Sequence, residues 1–364
     1  MLEVAEIVRL HGDEFREKFG SQLTPVQKKA LRDIQNCRTP FFGGHVYQCD
    51  HCEQKRYSYH SCRNRSCPKC HHDQTERWIA QQRRRLLPCS YYLITFTLPA
   101  ALRPVAQSHP KIVYGLLMKA AADALQKLAA DPRFLGARPG ILAVLHTWTR
   151  AMLYHPHVHM LVTAGGLSFD NSRWVEPQNP KFLVPVKALS LIFAAKMCAA
   201  LKKAGLLDSI PRDVWKKAWV VHCQHAGSGD KVLDYLGRYV FRVALTHNRL
   251  EHIQDGLVTF RYRDNRTQQI RHVTLSGIEF LHRFLQHVLP RGCTKVRYYG
   301  LFSPHCPSKL DQAPARIPVS VPASTSSVIS SNADTSSRPQ PCPYCHVGKL
   351  VLVDTLQPQR SRSP

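Results

Sequence analysis

Charged and apolar residues interleave at helical spacing over residues 1–35, where Ile7, Leu10, Phe15 and Phe19 alternate with Glu6, Arg9, Glu14, Arg16, Glu17 and Lys18. Residues 76–87 predict a second, basic helix carrying Arg77, Arg83, Arg84 and Arg85. The texture changes near residue 90. The run Tyr91-Tyr92-Leu93-Ile94-Thr95-Phe96-Thr97-Leu98 is aromatic and β-branched, which predicts a strand, with Pro99 and Pro104 after it. Residues 105–128 are rich in Ala and Leu and predict a helix. Further strands are predicted at 141–149, 157–163 and 218–222, helices at 187–204, 230–245 and 277–288, and a hairpin pairing 258–262 with 270–275. These elements follow no strict βαβ alternation, so the pattern predicts an α+β fold with a mostly antiparallel sheet.

Two segments escape both periods. Residues 37–72 are dense in Cys, His, Arg and Lys and hold few aliphatic side chains, so a bound metal has to supply their fold. Residues 312–341 are rich in Ser, Pro, Ala and Thr, which predicts a disordered linker, and a short Cys342-Pro-Tyr-Cys345 element follows it. The expected division is a zinc-binding docking domain over 1–89, a catalytic domain over 90–303, and a linker with its cysteine tail over 304–364.

Composition narrows the partners. The 364 residues include 50 Lys and Arg against 25 Asp and Glu, a formal charge of +25, with a pI near 9.8. Such a field is needed by a protein that handles nucleic acid and not by an enzyme for small neutral substrates. Apolar residues make up 44% of the chain, which excludes global disorder. Glu3, Glu6 and Arg9 interrupt any signal-peptide core, and the longest apolar stretch, 189–201, is broken by Lys196 and is shorter than the ~20 residues of a membrane span. A cytoplasmic protein without a membrane role is expected, and there 13 cysteines point to metal rather than to disulfides.

Cys49-x-x-Cys52 and Cys67-x-x-Cys70 are two knuckles separated by fourteen residues, a spacing that predicts one tetrahedral Zn²⁺ held by four thiolates. Cys37, His60 and Cys62 lie in the same stretch, as candidates for a second site or for plain burial. The tail pair Cys342 and Cys345 is too small a set to close a site alone, unless it borrows Cys293, Cys306 or His346. Between the knuckles, Arg63 and Arg65 are forks suited to phosphate, and residues 53–85 hold nine Lys/Arg against three Asp/Glu, which predicts a DNA-docking surface.

The segment His155-Pro156-His157-Val158-His159 carries the sharpest chemistry. On a strand, His157 and His159 point one way while Val158, Met160 and Val162 point the other. Two imidazoles ~7 Å apart along the strand can converge on one divalent ion that polarises a phosphate oxygen. In residues 230–242, Tyr235 and Tyr239 lie one helical turn apart, with Arg238 and Arg242 continuing their face and Leu236, Val240 and Val243 forming an apolar stripe. A phenol is a competent nucleophile toward a phosphodiester whose charge is neutralised. Histidine strand, tyrosine helix and basic zinc module together predict DNA strand cleavage and transfer.

These segments, with Cys37-Arg-Thr-Pro40, Ser61-Cys-Arg-Asn-Arg-Ser-Cys67, Thr95-Phe-Thr-Leu-Pro99 and Arg297-Tyr-Tyr-Gly300, occur in one order over residues 1–303. In that order the chain resembles the HUH-type, two-tyrosine transposases of rolling-circle insertion sequences, the family with an N-terminal zinc-binding domain. The resemblance implies a catalytic domain built on a central antiparallel sheet. It implies Mg²⁺ or Mn²⁺ on His157 and His159, and Tyr235 and Tyr239 as nucleophiles. It also implies cleavage of single-stranded DNA through a 5′-phosphotyrosine link. The partners it implies are single-stranded and hairpin DNA at the element ends together with target DNA, in a bacterial, nucleoid-associated protein. The third catalytic ligand is open among His146, Asp230 and Asp234, with His155 and His222 further out. Where the family most often has His, this chain has Ser66. Two other readings are a rolling-circle replication initiator with the same chemistry and a non-catalytic, zinc-dependent DNA-binding regulator. The initiator needs no knuckles, and the regulator leaves the tyrosines and the histidine pair unexplained.

Overall fold

A computed structural model describes residues 2–70, 72–179, 182–240, 244–264, 266–317 and 340–359, without the side chains of residues 72, 73, 238, 239 and 309. Its centre is a five-stranded sheet, antiparallel throughout, in the order Val296–Gly300, Gly140–Trp148, Tyr154–Thr163, Tyr91–Thr97, Val221–Gly227. The expected α+β architecture is therefore present. The strand Gly140–Trp148 is buried at every position, which accounts for its almost unbroken apolar run. The strand predicted at 218–222 begins later, at Val221. Trp219 is instead buried before it, its indole N–H donating to the Val214 carbonyl at 3.1 Å.

Each face of the sheet has its own cover. Ile94, Phe96, Ile141, Ala143, Leu145, Val158, Met160 and Val162 face the helices Pro110–Ala129 and Val186–Lys203. The helix predicted at 105–128 is in fact two, Arg103–Ser108 and Pro110–Ala129. Pro110 has no N–H to continue the ladder, and His109 before it leaves the helical region at φ −126°, ψ 53°. On the opposite face, Leu142, Val144 and Leu161 pack against Leu236 and Val240 of the tyrosine helix, Asp230–Val240.

The tyrosine helix in turn lies against the helix His72–Arg83. A Cβ on Gly237 would stand 2.5 Å from the Ile79 side chain, so the two helices approach this closely only because residue 237 is glycine. Arg83 completes the contact through Asp234 at 2.5 Å and Asp230 at 3.9 Å.

A second core joins the two ends of the chain. The N-terminal segment forms two helices, Val4–Phe19 and Pro25–Gln35, rather than one. Thr24 and Gln27 make a capping box at the start of the second, with Pro25 at its first position. Val4, Ile7, Val8, Phe15, Leu31 and Ile34 pack with Phe280, Leu281, Phe284 and Leu285 of the helix Gly277–Leu285. Val258 and Phe260 join them from a three-stranded sheet in the order Ile270–Ser276, Leu257–Arg263, Leu250–Gln254. The predicted hairpin is thus present, with Leu250–Gln254 added to it. The boundary expected at 89/90 does not separate two cores, because residues from both sides of it share this one.

The tail also departs from expectation. Residues 318–339, most of the predicted linker, lie outside the described residues. Beyond them, Lys349–Leu356 pairs antiparallel with Gly44–Cys49 in a four-stranded sheet ordered Gln340–Pro341, Lys349–Leu356, Gly44–Cys49, Lys55–Tyr59. The C-terminal element therefore belongs to the N-terminal module. Among the described residues, no helix is long and apolar enough to cross a membrane.

Replacing Gly237 with Val forces the tyrosine helix away from Ile79. The expected cost is about 1–3 kcal/mol of overpacking, read as a lowered thermal midpoint, with Gly237→Ala intermediate.

Candidate active site and metal centres

Strand register assembles the histidines. Val144 and Thr95 flank His159 on the neighbouring strands, and His146 pairs directly with His157. Because side chains alternate along each strand, His146, His157 and His159 all emerge on the face of the tyrosine helix. Their ring centroids lie 4.5–5.1 Å apart, and one nitrogen from each falls within 4.8 Å of the others. Of the open choices for a third ligand, the structure brings His146 to the pair. Asp230 and Asp234 are instead turned to Arg83, and His222 is exposed on the edge strand. His155 stays beside His157 but acts on it differently. Its carbonyl accepts the His157 Nδ1–H at 2.7 Å, which leaves the His157 Nε2 lone pair for a ligand, while Arg103 donates to the His155 ring at 2.8 Å. Thr95 Oγ1 is hydrogen-bonded to His159 Nδ1 at 2.9 Å and orients that ring likewise.

The environment keeps these imidazoles neutral. Burial, with repulsion from neighbouring rings, lowers His157 to about 4 and His159 to about 3, and pushes His146 well below the ordinary histidine range. Neutral imidazole is the metal-binding form. Tyr235 stands over the cluster, its ring centroid 5.9 Å from that of His159 in an edge-on arrangement. Arg242 and the side chains of Arg238 and Tyr239 lie outside the described residues.

Histidines and Tyr235 sit in one cleft of about 900 Å³, whose far wall carries Arg150, Arg249, Arg261 and Arg263 against a single acid, Asp264. Arg249 braces that wall from within, donating to the carbonyls of Arg150, Ala244 and Arg261. This arginine wall had no signal in the sequence beyond the general excess of positive charge.

The cysteines group differently from the expected pairing of Cys49/Cys52 with Cys67/Cys70. Cys67 and Cys70 converge with Cys37 and Cys62, all four sulfurs within 4.8 Å. Cys70 Sγ is 3.6 Å from both Cys37 and Cys62, close to the ~3.8 Å edge of a tetrahedron with Zn–S bonds of ~2.3 Å. Cys70 is held well below the usual thiol range because Cys37, Cys62 and Cys67 donate toward it. Cys49 and Cys52 meet Cys342 and Cys345 instead. The reason for the regrouping is topological: the strands Gly44–Cys49 and Lys55–Tyr59 carry the first knuckle away from the second and toward the tail strand. His60 joins neither set. It lies against His45, nitrogen to nitrogen at 3.2 Å, and against the Phe42 carbonyl. Cys293, Cys306 and His346 also remain apart from the sulfur clusters. Ser66 is buried, its N–H bonded to Asn64 Oδ1 at 2.9 Å.

Arg65 is not laid out for DNA. Its guanidinium donates to the carbonyls of Leu289, Pro290 and Cys293 at 2.5, 2.6 and 2.8 Å, and so locks the zinc module to the chain following the helix Gly277–Leu285. Arg63 is exposed, between the first pair of cysteines and the second.

Comparison with known proteins bears directly on this arrangement. Residues 140–309, which include the histidines and the tyrosine helix, match a family described as "Putative transposase". Residues 7–98 match the "Transposase zinc-binding domain". The chain is 38% identical to the "Putative transposase y4qJ" of Sinorhizobium fredii, over 97% of its own length and 95% of that protein's. It is 29% identical to the "Transposase for insertion sequence element IS801" of Pseudomonas savastanoi pv. phaseolicola, over 76% of its length and 72% of the other's. The chain belongs to the HUH-type rolling-circle transposases. No solved structure matches it. The zinc-binding domain of the transposase contains Cys37, Cys62, Cys67 and Cys70, a donor set that fits a closed, structural Zn²⁺.

Two expectations follow for the transposase. Thr95→Val removes the hydroxyl that orients His159 and should weaken divalent-metal binding in the cleft by roughly 10–100-fold, measured by titration calorimetry. The second concerns acid. The unfolded chain protonates these histidines near 6.5 while the folded chain resists down to about 4 at His157 and about 3 at His159. Stability present above pH 6.5 is therefore lost as pH falls through that window. Thermal melts should show a smaller loss between pH 7 and 5 for His157→Gln,His159→Gln than for the parent.

Proposed function

We propose that this transposase cuts and rejoins single-stranded DNA at the ends of its element through a covalent phosphotyrosine. The observation that carries the reading is the placement of Tyr235 over three converged neutral imidazoles at the floor of an arginine-walled cleft. The scissile phosphate enters between Tyr235 and the histidines, with its flanking nucleotides along the wall formed by Arg150, Arg261 and Arg263. The Tyr235 oxygen attacks phosphorus, the bond from phosphorus to the 3′ oxygen breaks, and the 3′ oxygen leaves as a hydroxyl after taking up a proton. The DNA stays joined to the protein by its 5′ phosphate. Attack of a 3′-hydroxyl on that link reverses the exchange, so the covalent bond conserves the phosphodiester energy. Tyr239, one turn further along the helix, supplies a second nucleophile for the second strand.

His146, His157 and His159 would hold a divalent ion, Mg²⁺ or Mn²⁺, whose chemistry is to withdraw charge from the non-bridging phosphate oxygens. The protein's own part is to fix the three Nε2 or Nδ1 donors. It does so with the Thr95 and His155 hydrogen bonds, and it presents Tyr235 from a helix clamped by Gly237 and Arg83. An all-nitrogen donor set suits Mn²⁺ better than Mg²⁺, which prefers oxygen.

Incubation with labelled single-stranded element-end DNA and Mn²⁺ should give an SDS-resistant protein–DNA adduct, at a higher rate than with Mg²⁺. His146→Ala should lower cleavage by about 100-fold or more while sparing DNA retention. Tyr235→Phe,Tyr239→Phe should abolish the adduct. Adducts persisting in that double variant would overturn the nucleophile assignment, and undiminished cleavage in His146→Ala would overturn the metal assignment.

A further inference from the structure

The two ends of the chain meet at four sulfurs. Cys52 Sγ is 3.6 Å from Cys342 Sγ and Cys49 Sγ is 3.7 Å from Cys345 Sγ, with all four sulfurs within 4.8 Å of one another. Those separations are far longer than the ~2.05 Å of a disulfide and close to the ~3.8 Å edge of a tetrahedral ZnS₄ unit. The main chain is shaped around the sulfurs in the same way at both knuckles. The N–H groups of His51 and Cys52 point at Cys49 Sγ at 3.4 Å, and those of Tyr344 and Gly348 point at Cys342 and Cys345 at 3.4 Å. N–H groups aimed at sulfur favour thiolate, the form that binds metal. Gly348 allows the contact, since a Cβ there would stand 2.5 Å from Cys49 Sγ and 2.6 Å from Asp50 Oδ1. Asp50 closes the seam, accepting the Lys349 N–H at 2.8 Å and donating its own N–H to the Lys349 carbonyl at 3.1 Å.

We infer that Cys49, Cys52, Cys342 and Cys345 form a second structural Zn²⁺ site, a zinc clasp that binds the C-terminal strand into the N-terminal DNA-docking module. The zinc-binding domain match ends at residue 98 and so covers only half of this donor set. The sheet of Gly44–Cys49 and Lys55–Tyr59 has almost no buried apolar side chain of its own: among the described residues, the buried ones around it are Val46, Cys49, Cys342 and Leu350. Metal ligation therefore supplies the cohesion that a hydrophobic core would otherwise give. The inference rests on the sulfur geometry alone and stands apart from the strand-transfer chemistry.

The test counts thiolate-bound metal in the full-length protein. Reduced protein reconstituted with Zn²⁺, and in parallel with Co²⁺, should bind two thiolate-ligated equivalents per chain, reported for Co²⁺ by sulfur-to-metal charge-transfer absorption, to which the histidine cluster adds nothing. Cys342→Ser,Cys345→Ser should halve that absorption. It should also free the backbone amides of Lys349–Leu356 to exchange with solvent, and Cys342→His should restore both. Undiminished absorption in the double serine variant overturns the site, as does a Cys49–Cys345 or Cys52–Cys342 disulfide in protein purified under reducing conditions. If the double variant loses both equivalents, Cys62→Ser decides: one equivalent retained there supports the clasp, and none retained overturns it.

Discussion

The pleat of the strand Tyr154–Thr163 is the constraint from which the site follows. Its central sheet is covered on both faces, so each residue is committed to one layer or the other. Val158, Met160 and Val162 fill the layer beneath the long helices. His157 and His159 share the other layer with Leu161, under the tyrosine helix. A shift of register by one residue would put imidazoles into an apolar layer and valines into the cleft, at the cost of both. The same alternation on Gly140–Trp148 selects His146, because it is paired with His157 and points the same way. The burial that makes the sheet stable is also what keeps the three rings uncharged.

What surrounds that sheet serves chiefly to hold the tyrosine helix at the right height. Leu236 and Val240 seat it on the strands, Gly237 lets it close against Ile79, and Arg83 ties its first turns through Asp230 and Asp234. The N-terminal module is thus a structural neighbour of the site. Arg65 and the shared core of Phe15, Leu31, Phe280 and Phe284 fasten it to the chain on the far side. Part of the positive charge is used in this way. Arg65 and Arg249 donate to main-chain carbonyls and Arg83 pairs with carboxylates of the tyrosine helix.

Local pattern was a good guide wherever a side chain's role depends on its near neighbours. Strand periodicity placed His157 and His159 on one face, helical spacing placed Tyr235 on a helix, and cysteine density marked residues 37–72 as a metal-dependent segment. Helix breaks at residues 20–24 and at His109 were legible in principle from Thr24-Pro25 and Pro110, but an apolar count over a long window passes over them. The short strand Leu250–Gln254 has five residues of which only Leu250 is buried, too weak a pattern to stand out without the hairpin it joins.

The sequence by itself determined the classes of chemistry: an α+β chain, thiolate and imidazole clusters, a phenol-bearing helix and an excess of cations. These are properties of residue type and short-range spacing. Which partners meet was decided only by tertiary structure. Cys67 and Cys70 turn to Cys37 and Cys62, and Cys49 and Cys52 turn to cysteines about 290 residues away. Arg65 serves carbonyls rather than phosphate, and His146 rather than an aspartate completes the histidine cluster. The physical reason is the same in each case. A ligand set or a buried cation is satisfied by whatever donors the strand pairing brings within a few ångströms, and strand pairing between distant segments depends on cores that no single stretch of the chain contains.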